Sequence, residues 1–102
     1  MPNNNYQVRL LSIAEEDLTE IIIYIAMENP TAANRIADKI EKNMLLLYKN
    51  PHLGRIPRDE EIKELGYRYL IVENYIIFYT IEKNIIWIHR ILHSSRDYKL
   101  FL

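Results

Sequence analysis

At 102 residues the chain has the length of one domain with a single two-layered core. Its 13 Lys and Arg are offset by 14 Asp and Glu, and a net charge of −1 argues against a surface built to grip many phosphates. The absence of cysteine excludes disulfides and thiolate metal sites and points to the cytoplasm. No apolar run approaches the roughly 20 residues that span a bilayer, and MPNNNYQVRL lacks the layout of a signal peptide.

Tyr6 to Leu11 alternates, with Tyr6, Val8 and Leu10 on one face, and is expected to form a strand. Ser12 and Glu15 have the spacing of a capping box, and Glu15, Glu16 and Asp17 suit the positive end of a helix dipole. Ala14, Leu18, Ile21, Ile22 and Ile25 recur on one helical face, so the first helix runs to about Met27, where Asn29-Pro30 breaks it. Thr31 is the expected N-cap of a second helix. Its stripe is Ala33, Ile36, Ala37, Ile40, Met44 and Leu47, and Asp38 and Lys42 are spaced for an ion pair on its wet side. Asn50-Pro51 ends it, and the short connection between the two makes an antiparallel hairpin of helices.

Residues His52 to Gly66 read as a loop with one helical turn at Glu60–Leu65. Tyr67–Glu73, Tyr75–Glu82 and Ile85–Leu92 are rich in Ile, Tyr, Val and Phe and are divided by Asn74 and by Lys83-Asn84, which predicts a three-stranded meander. The expected fold is α+β, in the order β-α-α-β-β-β, with the helical hairpin packed on one face of an antiparallel sheet. The middle strands are apolar on both faces. The surplus, Tyr75, Ile77 and Tyr79 or their neighbours, is either covered by a partner or lies under the folded loop.

Three blocks of residues carry a family resemblance: Gly54, Arg55 and Pro57; GYRYLIVENYIIFYTI at Gly66–Ile81; and IHRILHSSRDY at Ile88–Tyr98. In that order, behind two helices, they resemble the toxins of the RelE/ParE superfamily, the growth-arresting halves of type II toxin–antitoxin (plasmid stabilisation) pairs. The resemblance implies a cognate antitoxin as partner, in a toxin–antitoxin hetero-oligomer, and no metal, cofactor or membrane. It implies one of two targets. ParE-like members inhibit DNA gyrase and have no known catalytic site. RelE- and YoeB-like members cut messenger RNA on the ribosome.

Fold alone does not choose between these targets, so the residues must. A ribonuclease needs a base, a cation for the phosphate and an acid for the leaving oxygen. Glu61 (or its neighbour Glu60), Arg68 and His93 supply those types, and the set resembles the YoeB-like arrangement. Arg55, Arg90, Arg96 and Tyr98 are candidates for contact with target or substrate. Each has a structural alternative. Arg68 can pair with Glu73 or Asp97, His93 can cap a strand end, Arg96 can pair with Asp97, and the loop glutamates can be a solvated face. Ribonuclease or not, the chain is thus left undecided as an enzyme. The near-neutral charge and the His-x-x-Arg-Asp tail at His93–Asp97 tilt the reading toward gyrase. The apolar end, Leu100, Phe101 and Leu102, either packs on the core or joins a surface that a partner covers. His52, His89 and His93 have no zinc-like spacing, and with two glycines there is no phosphate loop.

Overall fold

The computed structural model describes residues 6–102. Strand β1 (Gln7–Leu10) leads into helix α1 (Ser12–Ala26) and helix α2 (Pro30–Leu46). A loop with the short helix α3 (Glu60–Glu64) follows. Then come β2 (Arg68–Val72), β3 (Tyr75–Glu82), β4 (Ile85–His93) and a 3-10 turn at Tyr98–Leu100. The order β-α-α-β-β-β is the expected one, with α3 at the anticipated helical turn.

The sheet runs β1-β4-β3-β2 and is mixed, which corrects the antiparallel expectation. The β2–β3–β4 meander is antiparallel, whereas β1 lies parallel to β4, with Gln7 opposite Ile85 and Leu10 opposite Ile88. A meander of three strands ends in the direction in which it began. The helical hairpin returns the chain so that β2, and therefore β4, points the same way as β1.

The hairpin covers one face of this sheet. Ala14, Ile36, Ile40, Met44 and Leu47 meet Leu70, Val72, Ile77, Tyr79, Ile86, Ile88 and Ile91 in one buried cluster, and Leu18, Ile21 and Ile25 pack at its edge. The two helical stripes are thus core. Two caps differ from expectation. Leu11, not Ser12, precedes the first helical residue of α1 and makes no side-chain cap. Asn29, not Thr31, caps α2: its Oδ1 accepts from the Ala32 N–H at 3.1 Å. Pro30 has no N–H to lose and sets φ for a first helical position, so the helix begins two residues earlier. Among the described residues Lys39 pairs not within its helix but with Glu73, as does Arg35. The predicted Asp38–Lys42 pair is not formed among these ion pairs. Glu73 sits in the β2–β3 turn at φ 54, a left-handed conformation uncommon outside glycine, and Arg35 and Lys39 of α2 pair with it there.

Tyr75, Ile77 and Tyr79 belong to the helix-covered core, so the surplus apolar residues of the second face are their neighbours Ile76 and Phe78. That face is partly covered by the chain itself. Tyr98 lays its ring against Phe78 at 5.2 Å between centroids, and Phe78 is only 2% exposed.

Tyr79 also organises the loop. Its buried hydroxyl donates to the Pro51 carbonyl and accepts from the Gly54 N–H, both at 2.8 Å. A Cβ on Gly54 would lie 2.6 Å from the Tyr79 ring, so glycine is required here for close approach. Burial pushes the Tyr79 phenol above its ordinary pKa, and the Gly54 N–H and the Arg68 charge offset this only in part. Gly54→Ala is expected to cost about 1–3 kcal/mol of stability in a urea titration, the usual penalty for overpacking. Gly66→Ala probes glycine at the other site, where the space is open but φ is +87. An unchanged midpoint for Gly54→Ala would show that the loop can move away from the ring.

Candidate functional site

Strand β4 carries an irregularity: Tyr79 lies opposite Ile88 and Phe78 opposite Arg90, leaving His89 as the extra residue of a bulge. Bulges re-aim side chains. Here the next residue, Arg90, sends its guanidinium to Asp17 of α1, with Nε and one terminal nitrogen on the two carboxylate oxygens at 2.7 and 2.8 Å. Asp17 Oδ2 also accepts the Ile91 N–H at 3.0 Å. The pair is nearly buried, with side chains 13% and 10% exposed. Asp17 raises the Arg90 pKa further above its ordinary value, against the opposing effect of burial.

Beyond β4 the chain turns at once. His93 Nδ1 accepts the Ser95 N–H at 3.1 Å and lies 2.8 Å from the Ser95 hydroxyl, while the Ser94 N–H reaches the Asn74 carbonyl at 2.7 Å. This folds the tail back over the sheet. Arg96 then rests on the Phe101 ring, 4.4 Å from its centroid, and Arg90 stands 5.1 Å from the same ring. Lys99 clips the tail to Asp59, whose other oxygen caps α3 through the Ile62 N–H. Lys99, and next the Ile62 N–H, hold the Asp59 carboxyl below its ordinary pKa. The clip is therefore present above the usual carboxylate pKa and is lost as pH falls through the lowered value.

These elements enclose a groove of about 510 Å³ between α1 and the end of the sheet. Tyr24 and Glu20 stand on the helix side, Tyr75 and His93 on the strand side, and Arg96 on the tail. Three of the sequence-predicted residues, Arg90, His93 and Arg96, thus meet there. Tyr98 lies on the second face against Phe78. The remaining three are elsewhere. Arg55 is exposed on the loop, with its backbone paired to Tyr69 across the outer edge of β2. Glu61 is exposed on α3. Arg68 donates to the Gly54 and His52 carbonyls at 3.0 and 3.3 Å, pinning the loop rather than pairing with Glu73 or Asp97.

Arg68 and His93 are not brought together. Arg68 lies opposite Tyr79 and His93 opposite Tyr75, on either side of β3, which places their Cα atoms about 16 Å apart by strand spacing. His93 serves as the cap of its turn, the structural role weighed for it. Arg96 makes no ion pair with Asp97 among the described residues.

Sequence reading missed Asp17 as a partner of Arg90. Its signal was present: Asp17 falls three residues after Ala14 and four before Ile21, on the buried stripe rather than the wet side of α1. A second polar cluster also went unnoticed. His89 lies 2.9 Å from the Thr80 hydroxyl and 3.3 Å from the Tyr67 hydroxyl, and burial lowers its pKa below the ordinary value. Among the described residues no group of three or more His, Cys, Asp or Glu is placed to hold a metal ion. Nor is any helix long and apolar enough to cross a membrane.

A helical hairpin on a four-stranded sheet is also the fold of solved chains from two toxin–antitoxin systems. The ParDE toxin–antitoxin system of P. aeruginosa has a solved chain that superposes with a TM-score of 0.74 at 20% identity, covering 89% of this chain and 98% of that one. The RelBE2 toxin–antitoxin complex of Mycobacterium tuberculosis has one that does so with a TM-score of 0.64 at 22% identity, covering 87% and 98%. No curated protein sequence matches the chain. Residues 8–98 match the family of ParE toxins of the type II toxin–antitoxin system parDE. The chain belongs to that family and is a toxin of a type II toxin–antitoxin system.

Proposed function

We propose that this toxin arrests growth by binding DNA gyrase, and that a cognate antitoxin holds it inactive by covering the groove and the adjoining sheet. The observation that carries this reading is the separation of Arg68 from His93, each already occupied in holding a loop or a turn. Acid–base chemistry needs its groups within reach of one phosphodiester, and these two side chains are turned to separate partners in the loop and in the turn. The groove offers what a protein interface uses: aromatic walls at Tyr24 and Tyr75 and an arginine stacked on an aromatic ring. A net charge of −1 suits a protein target better than a phosphate-dominated one. The toxin–antitoxin pairs among the solved structures support an antitoxin as the partner.

The test is toxicity on induction without antitoxin. His93→Gln keeps an amide oxygen able to accept near Ser95 but removes the imidazole, so it is expected to stay toxic. Truncation after Asp97 removes Tyr98 and Phe101 and is expected to abolish toxicity, with circular dichroism confirming that the shortened chain folds. DNA damage should precede any fall in translation. Messenger RNA cut at codon boundaries on the ribosome, and lost in His93→Gln, would establish the ribonuclease mechanism instead.

A further inference from the structure

Strand β1 forms one edge of the sheet, and among the described residues nothing pairs with its outer side. Its inner side is fixed by two bonds. The Gln7 N–H donates to the Asn84 carbonyl at 2.8 Å and the Leu11 N–H to the Ile88 carbonyl at 2.9 Å. Odd-numbered residues therefore turn their main chain to β4, and the alternation of a strand turns the N–H and C=O of Tyr6, Val8 and Leu10 outward. The side chains of Tyr6, Val8 and Leu10 are half-buried and pack against the core on the helix side. Gln7 and Arg9 are exposed on the other face, where the Arg9 guanidinium donates to Gln7 Oε1 at 2.6 and 3.1 Å. Apolar side chains flank both ends of the strand. Ile13 follows it closely and is 43% exposed, and Leu53, 45% exposed, shares a hollow with Tyr6.

We infer that the open edge of β1 pairs with β1 of a second copy of this chain, antiparallel about a twofold axis at Val8. The two four-stranded sheets then become one. The occupant follows from self-complementarity. An axis at Arg9 would set the two Arg9 side chains directly opposite, like charges at cross-strand distance. An axis at Leu10 would need Ser12, which already belongs to α1. An axis at Val8 sets Val8 against Val8, Leu10 against Tyr6 and Gln7 opposite Arg9, so apolar meets apolar and each Gln7 keeps an arginine beside it. The same pairing brings the Ile13 end of one copy to the Leu53 end of the other, which covers the half-exposed apolar side chains at both ends. Such a contact uses the same patch on both copies and closes at two, so neither β1 edge is left to recruit further chains. It involves none of the residues that line the groove, and the dimer presents two grooves.

The test is sedimentation of the full chain alone, from about 1 to about 500 µM, because a contact this small belongs with weak, transient interfaces. Wild type is expected to pass from monomer to dimer across that range. Gln7→Lys sets cations opposite each other at both symmetric pairs and should weaken the dimer about tenfold, whereas Gln7→Glu makes ion pairs there and should tighten it about threefold. Gln7 is exposed, so thermal melts of both variants should match wild type. The chain has no cysteine, so a single introduced one reports the register. Val8→Cys puts two thiols on residues whose Cα atoms lie about 5.5 Å apart, within reach of a disulfide, and is expected to give a covalent dimer on mild oxidation. Arg9→Cys is expected to stay uncrosslinked, because the axis at Val8 places the two copies of residue 9 diagonally. A wild-type chain that remains monomeric at the highest concentration overturns the inference. A dimer indifferent to both Gln7 substitutions, or one crosslinked by Arg9→Cys and not by Val8→Cys, overturns the pairing of β1 about Val8.

Discussion

Asp17→Ala is expected to cost about 3–5 kcal/mol of stability, read as the shift in a urea unfolding titration. Asp17 and Arg90 are nearly out of water, and each satisfies the other. Removing the carboxylate strands a guanidinium that cannot lose its charge and leaves the Ile91 N–H without an acceptor. Arg90→Ala should cost a similar amount for the mirrored reason. The double variant should lose less than the sum, because the second removal no longer strands a charge. Replacing both by apolar side chains, Asp17→Leu with Arg90→Met, should recover most of the loss, since desolvation of a buried pair cancels most of its attraction, and should stay about 1–3 kcal/mol short of wild type for the Ile91 N–H left without an acceptor. A loss below about 1 kcal/mol for Asp17→Ala would mean that Arg90 reaches solvent and that the pair is a surface one in energy.

Ile40→Ala is the second large expected effect, about 2–5 kcal/mol. Ile40 is fully buried at the middle of α2, between the helical hairpin and the strands. Its truncation leaves a cavity that the close-packed neighbours fill only in part. Ile40→Val, which removes one methylene, should cost about 0.5–1.5 kcal/mol, and the ratio of the two measures how far the core relaxes. A loss under about 0.5 kcal/mol for Ile40→Ala is the signature of a surface position and would mean that the apolar face of α2 points elsewhere.

What could be read from the sequence follows the range of the physics. Helix faces and strand runs are local periodicities, so Ile36, Ile40 and Met44 could be placed in the core from spacing alone. Asn29-Pro30 marked the break between helices, although the cap itself was misplaced by two residues because Pro30 serves as the first helical residue. Long-range pairing left no such mark. Nothing near Gln7–Leu10 indicates that β1 lies parallel to β4, and nothing near Arg68 shows that its partners are two carbonyls of the loop. Alternation made the meander plain but not which apolar set faced the helices, so the surplus could only be placed on Tyr75, Ile77 and Tyr79 or on their neighbours, and the helices cover the first set. Of the site, Arg90, His93 and Arg96 converge because they share one strand end and the turn after it. The Glu61–Arg68–His93 set drew on three distant elements, and its spacing depended on register that sequence does not give.

The parallel seat of β1 also sets an order of events during folding. Residue 7 meets residue 85, so this edge closes the longest loop in the sheet and gains one short strand in return. The helical hairpin and the β2–β3–β4 meander need only neighbouring segments and should assemble first. Docking of β1 then belongs after the rate-limiting barrier: weakening it should hasten unfolding and leave the rate of refolding almost unchanged.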